Sequence, residues 1–369
     1  VDLATVRLTL NGNPVAATPT RNGSVITIRH QPSALFAPSS SHTATVSYNA
    51  RTETWSFSVP AYVTDTVAKY PALHVGNPRQ TADRGGASGA AGDYGYDLPV
   101  AGAALQVVDS AFMAALNAAT AADEMSVSMW IRKYDIANSS AFWFASPSQG
   151  RVFQAHTPWS DNNIYFDTGG CCDGVNQRIS ANIDTFPGFV GDTTDTSWWQ
   201  NWRLYTFSKK ADVKQIYIDG VLFLEGSSLN PLSTDINILA IGSEPSGANR
   251  MHAVIDDFAV YAKALTPADV TALKNGTKPS ALAGVGLLAY WDFNALPTVE
   301  PPPPPPGIPV AASSSVGAAL TTTGDGLFGE YWQRGVNTIK TDGRTVAANR
   351  IDVQIASFGP PTGRFQATR

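Results

Sequence analysis

The sequence predicts an all-β protein built from antiparallel strands, and three observations support this fold class. Residues 202–224 contain three runs in which apolar and polar side chains alternate, as they do on the two faces of a strand. Asp219-Gly220 lies between the second and third runs, and an Asp-Gly pair favours the positive φ angles of a tight hairpin turn. Charged residues make up only 15% of the chain, whereas 31 glycines and 25 prolines supply the turns that short strands need.

Length and charge bound the number of domains and the class of partner. A chain of 369 residues is too long for one small domain, so we expect two or more. The formal net charge of -5 argues against a nucleic-acid partner, and no apolar run is long enough to span a membrane. The composition is typical of a secreted, extracellular protein. Because the sequence starts at Val1, we interpret it as a processed product or as an arbitrarily cut piece.

The first 63 residues contain four runs of alternating polarity, at residues 4–10, 24–29, 43–48 and 54–59. Asn11-Gly12 marks a turn after the first run. Residues 1–63 resemble bacterial Ig-like modules. Because a complete sandwich of that type has about seven strands, we expect a strand to be missing and a sheet edge to be open.

Residues 64–298 carry a second resemblance, which rests on three motifs in order. These are MSVSMWIR at residues 125–132, the strand-turn-strand pattern of residues 202–224, and VIDDFAVYAKAL at residues 254–265. Together they resemble the opening, central and closing strands of laminin-G-like domains in the concanavalin A-like superfamily. The resemblance implies a jelly-roll sandwich of two antiparallel sheets, a fold that hosts many functions.

The remaining elements of this domain follow from local patterns. A short helix is predicted at residues 110–118 with Ser110 as its N-cap. A second helix is predicted at residues 266–275, because Thr266 is a good N-cap and Asp269 completes a capping box. Strands are predicted at residues 104–108, 125–133, 141–145, 151–155, 163–167, 177–181, 236–241, 253–261 and 287–293.

The chain after this domain changes character twice. Residues 299–325 include six consecutive prolines and a Ser/Ala/Thr-rich stretch, which predict a stiff linker. Residues 326–369 open with GLFGEYW, which resembles the start of PA14 domains, a class of sugar-binding or adhesion β-sandwiches. Residues 351–358 alternate in polarity and predict a strand that could add to the sheet of a neighbouring molecule.

Catalytic patterns do not occur in this sequence, so we expect no enzyme activity. Some concanavalin A-like relatives are glycosidases, and they place paired carboxyl groups on one strand as Glu-x-Asp-x-Glu. The glutamates of this chain lie far apart, and no P-loop, G-x-S-x-G or H-E-x-x-H motif is present. A glycoside hydrolase is therefore the least favoured alternative.

The laminin-G-like resemblance implies calcium as a cofactor near one sheet edge. By position Asp256 is the candidate ligand, with Asp93 and Asp97 as partners. Asp256 and Asp257 are neighbours on a strand and are expected to face opposite sides of the sheet. The alternative is that these two residues are a solvated strand end and a buried, hydrogen-bonded carboxylate.

Aromatic, carboxylate and amide side chains cluster around two connections and predict a sugar-binding site. Glycans are held by aromatic faces beside carboxylate or amide groups within a preformed concavity. The alternative is that the tryptophans pack in the interior, because large aromatic side chains are mostly buried. The candidate ligand-binding residues are Trp159, Asp161, Asn162, Cys171, Cys172, Asp173, Trp198 and Trp199.

The two cysteines of the chain, Cys171 and Cys172, are adjacent in sequence. Metal sites and structural cross-links normally use separated cysteines, so neither is indicated. In an oxidising compartment the pair is expected to close a vicinal disulfide, and two free thiols in a loop are the alternative.

These observations favour an extracellular, non-catalytic recognition module. The expected partner is a glycan or a cell-surface polysaccharide, bound in adhesion. The alternative is a structural filament subunit that assembles with copies of itself, head to tail, by strand addition.

Overall fold

The computed structural model describes residues 1–76, 85–99, 102–192, 196–295, 327–334, 338–340 and 350–355. The chain divides into two compact units, Val1–Val299 and Glu300–Arg369, which are described separately. Antiparallel sheets dominate the described residues, which confirms the all-β fold class. The predicted linker at residues 299–325 lies outside the described residues.

Six short strands form the N-terminal part, namely β1 (Arg7–Leu10), β2 (Asn13–Pro14), β3 (Thr18–Asn22), β4 (Val25–Arg29), β5 (Ser41–Tyr48) and β6 (Arg51–Ser58). Four of them form a sheet in the order β2-β1-β5-β6, and β3 and β4 form a separate hairpin. The four predicted runs correspond to β1, β4, β5 and β6. Among the described residues, β6 pairs with β5 alone, so it lies at a sheet edge. The Ig-like assignment stays a prediction.

Fifteen strands follow within the same unit, and they divide between two larger sheets. In chain order they are β7 (Tyr62–Thr64), β8 (Pro71–Val75), β9 (Tyr96–Leu98), β10 (Ala104–Val107), β11 (Glu124–Lys133), β12 (Phe142–Ala145), β13 (Phe153–His156), β14 (Asn163–Thr168), β15 (Arg178–Asn182), β16 (Arg203–Lys210), β17 (Val213–Ile218), β18 (Val221–Ser227), β19 (Ile238–Ile241), β20 (Ala253–Tyr261) and β21 (Leu287–Trp291).

One sheet has eight strands in the order β15-β14-β13-β12-β19-β10-β8-β7. The other has seven, in the order β18-β17-β16-β11-β20-β21, with β9 also paired to β20. Strands that are consecutive in sequence repeatedly switch sheets, as the jelly-roll prediction requires. The predicted boundary between residues 63 and 64 falls inside β7, which pairs with β8.

Aromatic side chains from both sheets fill the space between them. Phe142 and Phe166 of the eight-stranded sheet contact Phe207 of the seven-stranded sheet, with ring centroids 5.4 and 5.3 Å apart. These rings belong to a large continuous core that also includes Phe153 and Phe258. Burial of such rings is the main favourable contribution to the stability of the sandwich.

Two α-helices belong to the same unit. Helix α1 (Ser110–Thr120) begins at the predicted residue and ends two residues later than predicted. Its N-cap is Asp109 rather than Ser110, and Asp109 accepts from the Ala111 and Phe112 amides at 2.9 Å. Helix α2 (Pro267–Lys274) has the predicted capping box between Thr266 and Asp269.

The second unit contains three described strands, β22 (Leu327–Arg334), β23 (Thr338–Lys340) and β24 (Arg350–Ile355). They form an antiparallel sheet in the order β23-β22-β24. The segment predicted to add to a neighbouring molecule therefore pairs with β22 of its own chain over most of its length. The PA14 resemblance and self-assembly stay predictions. Within the described residues, no helix combines the length and apolar character needed to cross a bilayer.

Candidate functional site

A cavity of about 380 Å³ opens over the polar face of the eight-stranded sheet. The alternation of strands β13 and β14 creates this face, because Phe153 and Phe166 point into the core while their neighbours point outward. His156 pairs in register with Tyr165, so the two side chains share the outer face. The residues that line the cavity are Arg151, His156, Trp159, Asp161, Tyr165, Cys172, Arg178, Glu244 and Asn249.

The buried carboxylate of Asp167 holds two arginines of the cavity in place. Arg178 donates from Nε to Oδ1 and from Nη2 to Oδ2, both at 2.6 Å. Arg151 donates from Nη1 to Oδ2 at 2.7 Å. The hydrogen bonds to Asp167 raise the pKa of Arg178. Both guanidinium groups are therefore fixed and charged when a ligand arrives.

Each guanidinium also lies over an aromatic ring. The Arg178 carbon Cζ is 4.6 Å from the ring centroid of Tyr165, and that of Arg151 is 4.5 Å from the ring of Trp143. These cation–π contacts further limit the rotamers of the two long side chains. The cavity is preformed on this side.

Trp159 and Asp161 belong to a tight turn, residues 159–163, that forms one wall. The Trp159 amide donates to the Asn163 carbonyl, and the Asn162 amide donates to the Trp159 carbonyl. Asp161 accepts from the Tyr165 hydroxyl at 2.6 Å and from the Asn163 amide at 3.0 Å. Partial burial raises the pKa of Asp161, but these hydrogen bonds outweigh it and lower the pKa overall.

His156 lies beneath Trp159, with ring centroids 4.4 Å apart and the rings nearly perpendicular. Its Nδ1 donates to the Ser139 carbonyl at 2.9 Å, so Nε2 accepts from the Gln154 amide at 2.9 Å. Burial lowers the pKa of His156 to about 4, so the ring is neutral at pH 7. His156 therefore packs against Trp159 as an uncharged ring and holds that side of the cavity in place.

The structure brings three of the predicted ligand-binding residues, Trp159, Asp161 and Cys172, to this one cavity. Asn162 contributes backbone hydrogen bonds to the wall, and its buried Oδ1 has no hydrogen-bond partner in the described part of the chain. Asp173 instead caps its own loop, where it accepts from the amides of Val175 and Asn176. Its role is local.

The prediction that Trp198 and Trp199 offer stacking surfaces is corrected by their burial. Their side chains are only 4% and 1% exposed, and the two rings pack edge to face with centroids 4.8 Å apart. Trp198 also packs under the guanidinium of Arg203, at 4.0 Å. Both tryptophans are core residues beneath a long loop, as the alternative interpretation stated.

Cys171 and Cys172 are joined in a vicinal disulfide in this structure. Cys172 reaches the cavity, and Cys171 Sγ lies 3.5 Å from Nη2 of Arg178. Although Asp167 and the two sulfur atoms lie within 4.8 Å of one another, the sulfurs are bonded together and the carboxylate is held by two arginines. These groups therefore do not fit a metal ion.

Six lining residues were missed by the sequence reasoning: Arg151, His156, Tyr165, Arg178, Glu244 and Asn249. A signal for three of them was present, because polar side chains occur at every second position of otherwise apolar strands β13, β14 and β15. Glu244 and Asn249 come from the turn after β19, and no local pattern links that turn to Trp159.

The candidate calcium ligands do not all converge. Asp97 accepts from the Tyr134 hydroxyl at 2.7 Å, whereas Asp93 and Asp256 share a second cluster with Lys278. The prediction that Asp256 and Asp257 face opposite sides is wrong. A bulge in β20 places Asp257 at a φ of 48°, so both carboxylates join this cluster.

All six carboxylate oxygens of this cluster accept a hydrogen bond or an ion pair. Asp256 accepts from the amides of Ala87 and Asp257, and Asp93 accepts from Ser88 at Oδ2 and faces Lys278 at 3.5 Å through Oδ1. Asp257 accepts from the Tyr290 hydroxyl and from Lys278. A calcium ion needs several free oxygens, so this arrangement does not fit one while Lys278 is present.

Two packed antiparallel sheets with switching strands define a jelly roll of the concanavalin A-like class. Residues 109–271 match the family model described as the concanavalin A-like lectin/glucanases superfamily. This match, together with the two packed sheets, confirms the predicted concanavalin A-like jelly roll. The match leaves the N-terminal sheet and the second unit outside it.

Several solved structures are similar at low identity. The receptor-binding domain of a botulinum neurotoxin of mosaic serotype C/D is 15% identical, with a TM-score of 0.41, over 58% of this chain and 50% of that chain. The binding domain of botulinum neurotoxin DC gives TM-scores of 0.40 in complex with rat synaptotagmin II and 0.41 in complex with SialylT, each at 16% identity, 58% of this chain and 50% of that chain.

This chain spans about half the length of those structures, and at this identity the likeness concerns the fold alone. No curated protein sequence gives a significant match.

Proposed function

We propose that the cavity over the eight-stranded sheet binds a sugar residue of a glycan and does not cleave it. The observation that carries this proposal is the mixture of groups around one concavity of about 380 Å³. Trp159 offers an apolar ring face, Asp161 and Glu244 offer acceptors, and the two arginines offer donors. Sugars require this combination, since they present apolar C–H faces and a ring of hydroxyl groups.

Preorganisation supports binding by this cavity. The arginines are held by Asp167, and the turn of Trp159 and Asp161 is held by its own backbone hydrogen bonds and by the Tyr165 hydroxyl. A ligand that meets fixed groups loses less free energy in ordering side chains. The proposal extends to adhesion, in which the extracellular protein attaches to a glycan or cell-surface polysaccharide.

The proposal of a non-catalytic site rests on the environment of Asp161. Glycoside hydrolysis needs a carboxylic acid that keeps its proton near neutral pH, which requires a raised pKa. The hydrogen bonds of Asp161 lower its pKa instead, so it acts as an acceptor for hydroxyl groups. Glu244 is also an acceptor, and it receives hydrogen bonds from Asn249 and Ser246.

A glycan array followed by titration calorimetry on the best glycan tests this function. We expect millimolar to micromolar binding that Trp159→Ala weakens at least about tenfold, the loss expected for one stacking contact. The matched control is Trp55→Ala, because Trp55 is 48% exposed on β6 and does not line the cavity.

Two results would count against the proposal. Wild-type protein that binds no glycan on the array would reject sugar recognition. Release of shortened glycan, measured by mass spectrometry after incubation with the ligand, would reject the non-catalytic assignment.

A further inference from the structure

The charges around the cavity limit the kind of sugar that it can hold. This inference rests on the proposed function, and it deepens it by naming the ligand class. Two cationic side chains, Arg151 and Arg178, belong to the cavity. Alone they would attract a carboxylate or sulfate group on a sugar, because a guanidinium binds such anions with paired hydrogen bonds. Whether the two arginines can bind such an anion depends on the other charges around the cavity.

The negative charge of Asp167 neutralises one of the two positive charges of the arginines. Its side chain is fully buried and receives three hydrogen bonds from the two arginines at 2.6 to 2.7 Å. These three bonds tie the carboxylate and both guanidinium groups together as one unit. A guanidinium binds a carboxylate through two parallel hydrogen bonds, and Arg178 already makes such a pair to Asp167 from Nε and Nη2. These two donors are therefore not available to a carboxylate of the ligand.

Two further negative charges lie on the walls. Asp161 belongs to the turn that carries Trp159, and Glu244 belongs to the turn after β19. Hydrogen bonds from neutral groups hold both carboxylates: the Tyr165 hydroxyl and Asn163 amide for Asp161, and Asn249 and Ser246 for Glu244. Neither wall carboxylate is paired with a cation in the described part of the chain.

The remaining polar groups of the cavity add no positive charge at neutral pH. His156 donates from Nδ1 to the Ser139 carbonyl and accepts at Nε2 from Gln154, a pattern that uses the neutral ring. Two positive charges therefore face three negative ones. In a partly enclosed site these charges are screened less than in bulk water, so a further negative charge is repelled.

We propose that the cavity selects uncharged sugars and rejects the corresponding acidic sugars, with Asp161 and Glu244 as the residues that enforce the rejection. The hydroxymethyl group of a neutral hexose can donate to either wall carboxylate. The carboxylate of a uronic acid at the same place can only accept, and it meets two groups that also only accept.

The experiment uses sugar pairs that differ only in this group. Titration calorimetry compares glucose- with glucuronic acid-terminated glycans, and galactose- with galacturonic acid-terminated glycans, on the full chain. We expect the neutral member to bind at least about tenfold more tightly, the ratio given by one unit charge several ångströms away at intermediate dielectric. The ratio should shrink at 0.5 M NaCl, because salt screens charge repulsion.

Isosteric variants assign the effect to the walls. Asp161→Asn and Glu244→Gln should each lower the neutral-to-acid ratio severalfold, because each removes one negative charge from the cavity wall. The ratio is measured within each variant, so a loss of affinity for both members of a pair does not affect it. Glu225→Gln is the matched control, since it removes the same charge from a residue on β18 whose carboxylate bonds Gln215 and does not line the cavity. The control should keep the wild-type ratio.

The outcomes separate this inference from the function on which it rests. If neither member of any pair binds, the proposed sugar recognition fails. If the acidic member binds as tightly as the neutral one or more tightly, sugar recognition stands and the charge selection is overturned. If Glu225→Gln changes the ratio as much as the wall variants do, the selection arises from overall charge and not from this cavity.

Discussion

Arg178 and Asp167 meet in a forked ion pair, with Nε–Oδ1 and Nη2–Oδ2 distances of 2.6 Å, at the base of the cavity. Arg151 shares the same carboxylate at 2.7 Å. This pair connects strands β14 and β15, because Asp167 and Arg178 are direct register partners. It therefore contributes both to the stability of the sheet edge and to the shape of the cavity, and these two contributions can be tested separately.

Replacing the shared carboxylate should strongly destabilise the domain. Asp167→Asn leaves two guanidinium groups without their counter-charge, and breaking a buried ion pair in this way costs about 3 kcal/mol. The free energy of unfolding, measured by denaturant titration, should fall by that order. Asp161→Asn is the control, because that carboxylate is exposed and should change stability by less than about 1 kcal/mol. Equal effects of both substitutions would contradict the structural role of Asp167.

The vicinal disulfide should matter more for the cavity than for stability. A cross-link between adjacent residues closes almost no loop, so it removes little entropy from the unfolded chain. Cys171→Ser with Cys172→Ser should therefore change unfolding free energy by less than about 1 kcal/mol, while glycan affinity falls because Cys172 lines the cavity. Thiol alkylation followed by mass spectrometry should label neither cysteine without reductant. Labelling of both would show that the pair is reduced.

A buried lysine should contribute an amount of stability that rises with pH above neutrality. Lys133 is 2% exposed, and its Nζ donates to Ser139 Oγ at 3.0 Å and to the Pro158 carbonyl at 3.4 Å. Burial lowers the pKa of Lys133 to about 7, although Asp135 partly opposes this shift. Between pH 7 and the ordinary lysine pKa of about 10.4, the unfolded chain binds a proton that the folded chain does not.

The contribution of Lys133 to the unfolding free energy should therefore increase with pH across that window and level off below pH 7. One lysine contributes at most about 1.4 kcal/mol per pH unit. Lys214, whose burial also lowers its pKa to about 7, adds in the same direction. Denaturant titrations at several pH values should show a smaller slope for Lys133→Met than for wild type. The exposed Lys210→Met should keep the wild-type slope, and a slope unchanged in Lys133→Met would refute this account.

Calcium should leave the stability of this domain unchanged. The ammonium of Lys278 lies 2.8 Å from Asp257 and 3.5 Å from Asp93, and every carboxylate oxygen of the cluster is already engaged. Thermal unfolding in excess EDTA and in millimolar CaCl2 should give the same midpoint. A midpoint that rises with calcium would show that the ion displaces Lys278.

Lys278 itself should contribute to the cluster that it neutralises. Burial and then the neighbouring Asp257 raise the pKa of Asp256, and the charge of Lys278 opposes this shift. Lys278→Ala should lower the thermal midpoint by a few degrees, because it leaves Asp257 and Asp93 without a cation. Lys274→Ala is the control, since Arg203 still pairs with Asp219 after Lys274 is removed. Equal shifts would contradict the special role of Lys278.

The sequence alone determined the all-β class, the second helix with its capping box and most strands of the sandwich. These features depend on contacts within a few residues, such as the alternation of β14 and the hydrogen bonds between Thr266 and Asp269. It also singled out Trp159, Asp161 and Cys172, because an aromatic ring, a carboxylate and a cysteine pair stand out in local context.

Only the tertiary structure decided which of these residues form a site. Strand pairing placed Arg178 on Asp167, and the turn after β19 brought Glu244 within reach of the same cavity. Trp198 and Trp199 are buried in the core and do not line the cavity. A bulge in β20 orients Asp257 toward Lys278. Such decisions depend on the register and curvature of sheets built from distant segments, and no local pattern of side chains encodes them.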